Sequence, residues 1–320
     1  MSHLHSSLIG EPGKPWGHSE KVRWRSRVAK QRSYADDVGS AVNRLRERFD
    51  VVEYGQVDCS PEVYPLLAIK SADWRSDLPT ALVTGGVHGY ETSGVLGALH
   101  FAEHGCDDYF GRVNVLVVPC VSPWAYEHVQ RWNAFAVDPN RSFQSGSAPE
   151  AAAVRNLVSS LARDVLVHID LHETTDSDET EFRPALAARD GKPFAPSAVP
   201  DGFYLVADQS NPALTFQQAI IGAVSQVTHI APADAAGEII GVPIASPGVI
   251  YYRTTELGLC AGITAAPYTT TTEVYPNSPL ATPERCVLAQ VTAVRAALDF
   301  SLANQPASRR SKTGEKLASD

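Results

Sequence analysis

The sequence has little of what marks a disulfide scaffold, a membrane span or a nucleic-acid binder. Its five cysteines (Cys59, Cys106, Cys120, Cys260 and Cys286) are odd in number, and no two stand at Cys-x-x-Cys spacing. That argues against a disulfide framework and a cysteine-rich zinc site, and the five read as small buried apolar residues. No apolar run approaches the roughly 20 residues that cross a bilayer. Basic residues are outnumbered, 27 Lys and Arg against 36 Asp and Glu, for a net charge of −9. A chain so charged lacks the basic face that displaces counterions from a phosphate backbone, which excludes nucleic acid as the partner. The polar stretch Met1–Gly17 has no apolar signal core, and this predicts a cytoplasmic protein. Internal repeats and low-complexity linkers are missing too, and nothing specifies an oligomeric state.

What is present is an ordinary globular composition, 44% hydrophobic and 20% charged over 320 residues. The length suits two average domains or one large α/β domain. Apolar and helical segments alternate through the whole middle, so one domain over 21–303 is expected, between a loose N-terminus (1–20) and a loose tail (304–320). Helical spacing runs over 35–49, 91–104, 148–161, 212–227 and 283–302. Strand-like runs occupy 51–57, 63–69, 81–84, 113–118, 164–171, 248–253 and 269–274. Continuous apolar strands separated by helices imply an α/β fold, a mostly parallel sheet covered on both faces. Ligands in such folds sit at the carboxyl ends of strands.

Two strand ends carry metal-ligand chemistry. The run ALVTGGVHGYE places His88 and Glu91 just beyond a strand, at a glycine-rich loop. An imidazole and a carboxylate three residues apart reach the same side of a helical turn, and both ligate zinc. On the pattern alone they are either ligands or solvated loop residues. His100 and Glu103 repeat the spacing in the middle of the next helix, so position after a strand, not spacing, favours the first pair. The run VLVHIDLHETTD offers a third ligand. His168 and His172 share a strand face but lie roughly 13 Å apart, too far to hold one ion. His172, nearer the strand tip, is the better ligand, and His168 reads as a packed core residue. Asp170 either orients a ligand imidazole or is simply a satisfied polar residue. Two histidines and one glutamate leave an open position, the arrangement of a catalytic zinc.

Taken in order, GGVHGYE, DPNRSF (138–143), DLHET (170–174) and TTTEVYP (270–276) resemble the zinc carboxypeptidase (M14-type) superfamily over about residues 51–302. The resemblance implies a single domain with a mixed, mainly parallel sheet. It also implies one zinc ion on His88, Glu91 and His172, with Glu273 as general base. Asn140 and Arg141 resemble the pair that holds a substrate carboxylate, a task suited to a planar guanidinium. Arg131 resembles the arginine that stabilises a developing oxyanion, and Tyr251 or Tyr252, with Tyr251 preferred, the tyrosine that closes over the substrate. Two features depart from the digestive enzymes. Asp170-Leu171-His172 is closer to the succinylglutamate desuccinylase and aspartoacylase branch. The segment 174–203 is long enough to be a lid or specificity loop. Its acids, with Glu173, are either a solvated acidic patch, a second metal site or an attractor of basic groups. The implied activity is hydrolysis of an amide beside a free carboxylate, with a peptide or N-acyl amino acid as substrate. A zinc-binding protein without catalysis is the third possibility.

Overall fold

The computed structural model describes residues 9–162 and 164–305. Ten strands form one sheet: β1 Phe49–Asp58, β2 Val63–Ser71, β3 Thr80–Gly85, β4 Asn114–Val118, β5 Val165–Glu173, β6 Tyr204–Asp208, β7 Glu238–Ile239, β8 Val242–Ser246, β9 Val249–Tyr252 and β10 Tyr268–Val274. Their order is β1-β2-β4-β3-β5-β10-β6-β9-β8-β7. The four central strands, β4-β3-β5-β10, are parallel. Antiparallel pairs flank them on either side, β2 on β4 and β6 on β10, so the sheet is mixed with a parallel centre.

Among the described residues there are eight α-helices: α1 His18–Arg25, α2 Ser40–Arg44, α3 Thr92–His104, α4 Pro123–His128, α5 Pro149–Leu161, α6 Arg183–Arg189, α7 Leu214–Val224 and α8 Pro283–Ala303. Side chains alternate across a strand, so each central strand feeds two cores. Ala81, Val83, Val115, Val117, Val167, Ile169 and Leu171 pack with α3 and α8, while Leu82, Leu116, Val118 and Val165 pack with α5. This is why the central strands read as unbroken apolar runs, and why the fold is a single three-layer α/β domain.

The helical spacing over 35–49 resolves into a π-type turn, α2 and a 3₁₀ turn, which together end at Glu47, where β1 takes over. Strands β6, β7 and β8 and helices α1, α4 and α6 carry too few periodic apolar positions to be read from the sequence. By length and composition α8 is apolar enough to cross a membrane, but half of its most apolar stretch is buried inside the fold, where the helix packs on the sheet and the neighbouring helices.

The expected loose N-terminus over 1–20 meets a packed segment from Ile9 onward, and α1 begins at His18. Trp16 is 6% exposed and meets Trp132 edge-on at 6.0 Å, and Trp24 of α1 packs on the same ring at a tilt, with centroids 5.4 Å apart. Isolated tryptophans have no periodicity for a sequence pattern to catch, yet each buries a large apolar area. Residues 1–8 and 306–320, most of the two expected loose ends, lie outside the described residues.

Backbone approach fixes the loop beyond β3. A Cβ on Gly89 would lie 1.9 Å from the Ala125 carbonyl carbon of α4, whereas Gly222, exposed on α7, has no atom within 4 Å of such a Cβ. Gly89→Ala is expected to destabilise by about 3 kcal/mol or more through overpacking, and Gly222→Ala to stabilise by up to about 1 kcal/mol through helix propensity. Thermal unfolding of the two variants checks this; equal melting temperatures would contradict the packing of the loop.

Candidate metal centre

Parallel pairing of β3 with β5 sets Thr84 beside Asp170, and pairing of β5 with β10 sets His172 beside Glu273. The face of β5 that packs on α5 therefore turns polar toward its carboxyl end, through His168, Asp170 and His172. The chain leaves β3 through Gly85 and Gly86, carries His88 across the strand tips, and enters α3 with Glu91 as its N-cap residue. At the other side Gln290 of α8 donates to the His172 carbonyl at 2.8 Å and accepts from Thr272 at 2.5 Å, tying β5 to β10 under the site.

His88, Glu91 and His172 converge. All three are buried, and one donor atom from each lies within 4.8 Å of the others. The Glu91 carboxylate sits between the rings, Oε1 at 2.7 Å from His88 Nδ1 and Oε2 at 2.8 Å from His172 Nδ1. Each ring is held from behind by a second carboxylate, His88 Nε2 by Asp138 at 3.0 Å and His172 Nε2 by Asp170 at 2.7 Å. An ionised carboxylate only accepts, so each Nε2 carries the proton and a neutral ring turns a bare Nδ1 lone pair toward Glu91. Two lone pairs facing a carboxylate repel unless a proton or a metal cation lies among them. Consistent with this, Glu91 Oε2 is buried with no hydrogen-bond partner despite its closeness to His172. Burial would raise the Glu91 carboxyl, but His172 and His88 pull it down to about 2. Burial likewise opposes charge on His172, and the Glu91 and Asp170 carboxylates outweigh it and raise that imidazole. Two nitrogens and one carboxylate oxygen, backed by carboxylate–histidine contacts, fit a divalent metal of the zinc type.

The competing pairs fall where burial puts them. His100 and Glu103 are exposed on α3. His168 is fully buried against the Thr84 hydroxyl at 3.1 Å, and burial pushes its imidazole down to about 4. Asp170 takes the orienting role and also accepts from Thr84 at 2.6 Å. Among the described residues no second His, Cys, Asp and Glu group has such geometry. The acids after His172 are engaged otherwise: Glu173 accepts from the Ser93 amide, Asp176 from Tyr275, Asp178 from Tyr90, and Glu179 from Arg183.

A cavity of about 310 Å³ opens over the cluster, lined by His88, Glu91 and His172 and also by Arg131, Asn140, Arg141 and Glu273. Glu273 accepts from Thr174 at 2.9 Å, which in turn meets the Tyr204 hydroxyl at 2.8 Å. Burial raises the Glu273 carboxyl to about 8, partly offset by His172. Asn140 accepts the Cys260 amide at 2.8 Å, leaving its NH₂ to donate. Arg131 is not free over the cavity. It spans Asp138 at 3.4 Å and Asp178 at 3.2 Å and donates to the Tyr90 hydroxyl at 3.2 Å. Tyr252 lines the cavity and Tyr251 does not; adjacent residues of β9 point to opposite faces, which corrects the preference for Tyr251. The segment 174–203 folds into a turn, α6 and an irregular return, and residues 197–200 wall the cavity.

Tyr90 and Gln290 are contributors that the sequence reading did not single out; Asp138, within DPNRSF, and Asp178, among the acids after His172, lay in segments it marked, but their bracing of Arg131 was not foreseen. The loop bearing Arg131 and Asp138 is fastened by Asn133, which donates to Glu150 of α5 at 3.4 Å.

Likeness to known proteins is structural. No protein-family model matches the chain, and no curated protein matches its sequence. A candidate metallopeptidase of Shewanella denitrificans OS217 superposes with TM-score 0.61 and 23% identity, over 85% of this chain and 90% of that one. A metallo-carboxypeptidase of Burkholderia cenocepacia gives 0.56 and 17%, over 90% and 70%. One of Pseudomonas aeruginosa, solved with (2-guanidinoethylmercapto)succinic acid, gives 0.54 and 14%, over 90% and 70%.

Two outcomes test the centre. Zinc titration is expected to find one ion per chain, lost in His172→Ala and weakened 10- to 100-fold in Asp138→Asn, on the order seen when such outer contacts are removed; His100→Ala should bind as the parent does. Glu150 supplies a pH test. Burial raises its carboxyl from 4.5 to about 6, so the folded state holds its proton more tightly than the unfolded one. The neutral form is cost-free below about pH 4.5, and stability is lost as pH rises through 6. Glu150→Gln should therefore melt higher than the parent at pH 8, by about 2 kcal/mol, and match it near pH 4. A gain independent of pH would refute the assignment. The chain thus has a metallo-carboxypeptidase-like fold, with a His-Glu-His cluster at the carboxyl ends of its parallel strands.

Proposed function

We propose that this protein is a zinc-dependent amide hydrolase, most simply a carboxypeptidase that removes C-terminal residues from peptides. The observation that carries the reading is the shared cavity: a buried His88, Glu91 and His172 cluster, a buried acid and two arginines line one space. His88, Glu91 and His172 would hold the zinc ion, which would supply Lewis-acid polarisation of a carbonyl and acidify water. Glu273 is the proton carrier. Its carboxyl lies near neutrality, the range in which an acid both takes a proton from attacking water and returns it to the leaving amine. Asn140 and Arg141 clamp the free carboxylate beside the scissile bond, setting its distance from the ligands. Arg131, braced by Asp138 and Asp178, presents a fixed positive charge where negative charge develops on the carbonyl oxygen. Tyr204 and Thr174 hold Glu273 in place.

A second reading, hydrolysis of an N-acyl amino acid, is favoured by the Asp170 brace on His172 and by the small volume directly over the ligands. The residues serve both, since each substrate has an amide beside a carboxylate. A zinc-binding role without catalysis is disfavoured, because Glu273 and Arg141 have no evident work in it. A cytoplasmic location belongs to the same reading and is supported by five buried thiols, none in a disulfide.

Mass spectrometry of peptides and N-acyl amino acids incubated with zinc-loaded protein decides among these. Loss of single C-terminal residues, abolished by a chelator, is expected; turnover of acyl amino acids alone would select the second reading, and metal binding with no amide hydrolysis would sink both. Glu273→Gln should keep zinc and lose at least 10²- to 10⁴-fold in turnover. Near-parental activity in that variant would remove Glu273 from the chemistry.

A further inference from the structure

Beside the metal cavity lies a second one, of about 780 Å³, bounded by the N-terminal segment, the loop 131–147 and the end of α6. Arg131, Arg141 and Leu186 line both, so the two spaces adjoin. Its charge is the reverse of the chain's. Five cationic side chains line it (Lys21, Arg131, Arg141, Arg189 and Lys192) against two carboxylates, Asp138 and Asp190, in a protein of net charge −9.

Both carboxylates are already matched. Asp138 is held by His88 at 3.0 Å and Arg131 at 3.4 Å, and Asp190 pairs with Arg189 at 2.9 Å. Among the described residues no carboxylate comes within ion-pair distance of Lys21, Arg141 or Lys192; Arg141 donates only to the Asn140 carbonyl, at 2.8 Å. The wall is built rather than incidental. Arg189 stacks over Trp132 at 4.6 Å and donates to the Ala136 carbonyl at 3.2 Å, and the Trp16 amide donates to the Arg189 carbonyl at 2.7 Å. A Cβ on Gly191 would lie 2.7 Å from the Pro15 nitrogen, so the lysine-bearing turn is pressed against the N-terminal segment.

We propose that this cavity is an anion subsite of the same active site, and that the substrate is an acidic peptide. The inference rests on the hydrolase reading. Arg141 has the substrate's carboxylate at the boundary between the two spaces, and Lys21, Arg189 and Lys192 take a further carboxylate beyond it. Unpaired cations gathered in a concave wall focus the field on an anion more than the same charges do on an open face.

The test is binding of triglutamate and of trialanine, measured by calorimetry at low salt with the full chain carrying Glu273→Gln to prevent turnover. Triglutamate should bind about 10-fold or more tightly than trialanine, an advantage of the size that a few charge pairs supply. The advantage should vanish at high salt and in the added double substitution Lys21→Gln, Lys192→Gln, neither of which removes an ion pair within the protein. Equal binding of the two peptides, or an advantage untouched by the lysine substitutions, overturns the proposal. So does displacement of triglutamate by an equal concentration of inorganic phosphate, the behaviour of a general anion site. These readings need no hydrolysis, so they stand apart from the activity assay. If the activity is present, the lysine substitutions in the otherwise unchanged chain should raise KM for triglutamate about 10-fold with kcat unchanged and leave trialanine unaffected.

Discussion

Everything at the strand ends depends on one arrangement: a carboxylate, Glu91, buried between two imidazoles that are each pushed toward it by a carboxylate behind. Taking several charged groups out of water costs several kcal/mol apiece, and only mutual compensation makes the site tolerable. Five ionisable side chains, His88, Glu91, Asp138, Asp170 and His172, are almost fully sequestered here. Their demand on the backbone is severe. It explains Gly89 against α4, the Glu91 N-cap position on α3, and the Gln290 bridge that reaches from α8 to the strand below.

The rest of the site is organised outward from that cluster as a chain of braces. Asp138 serves two partners at once, His88 and Arg131, and so links the His-Glu-His cluster to the arginine over the cavity. Asp178, from the long segment after His172, fastens the other end of the same arginine and the Tyr90 hydroxyl. The segment thus belongs to the site's framework and also walls the cavity through residues 197–200. Glu173, Asp176, Asp178 and Glu179 are engaged with an amide, two tyrosine hydroxyls and an arginine. The positive charge left unmatched lies one step further out, along the 15–21 and 186–192 segments.

Much of this was legible in the residues. Strands and helices with long apolar runs, among them β3, β4, β5, α3, α5 and α8, stand close to where their patterns place them, because local burial on both sheet faces imposes the pattern. The His88, Glu91 and His172 cluster was legible because a glycine-rich strand exit and a strand-tip histidine are local features. The contacts of Asp138 with His88, of Tyr90 with Asp178 and of Arg131 with Tyr90 were not: they span 41 to 88 residues, and no local spacing reports such a partner. Tyr251 and Tyr252 differ only in which strand face they occupy, a choice set by the register of β9 on β6.

By itself, then, the sequence determined the layered α/β character, the strand ends at which chemistry would gather, and the residue types able to hold a metal there. Hydrophobic periodicity and ligand chemistry are properties of neighbouring residues, and neighbours are what a sequence displays. The tertiary structure alone decided that Asp138 stands behind His88, that Asp170 turns to His172 rather than serving only itself, and that Arg131 is braced rather than free. It also decided that α1 and Trp16 close over the far side of the basic cavity. These are distances between segments remote in the chain, and they exist only once the sheet order and the packing of its layers have been set.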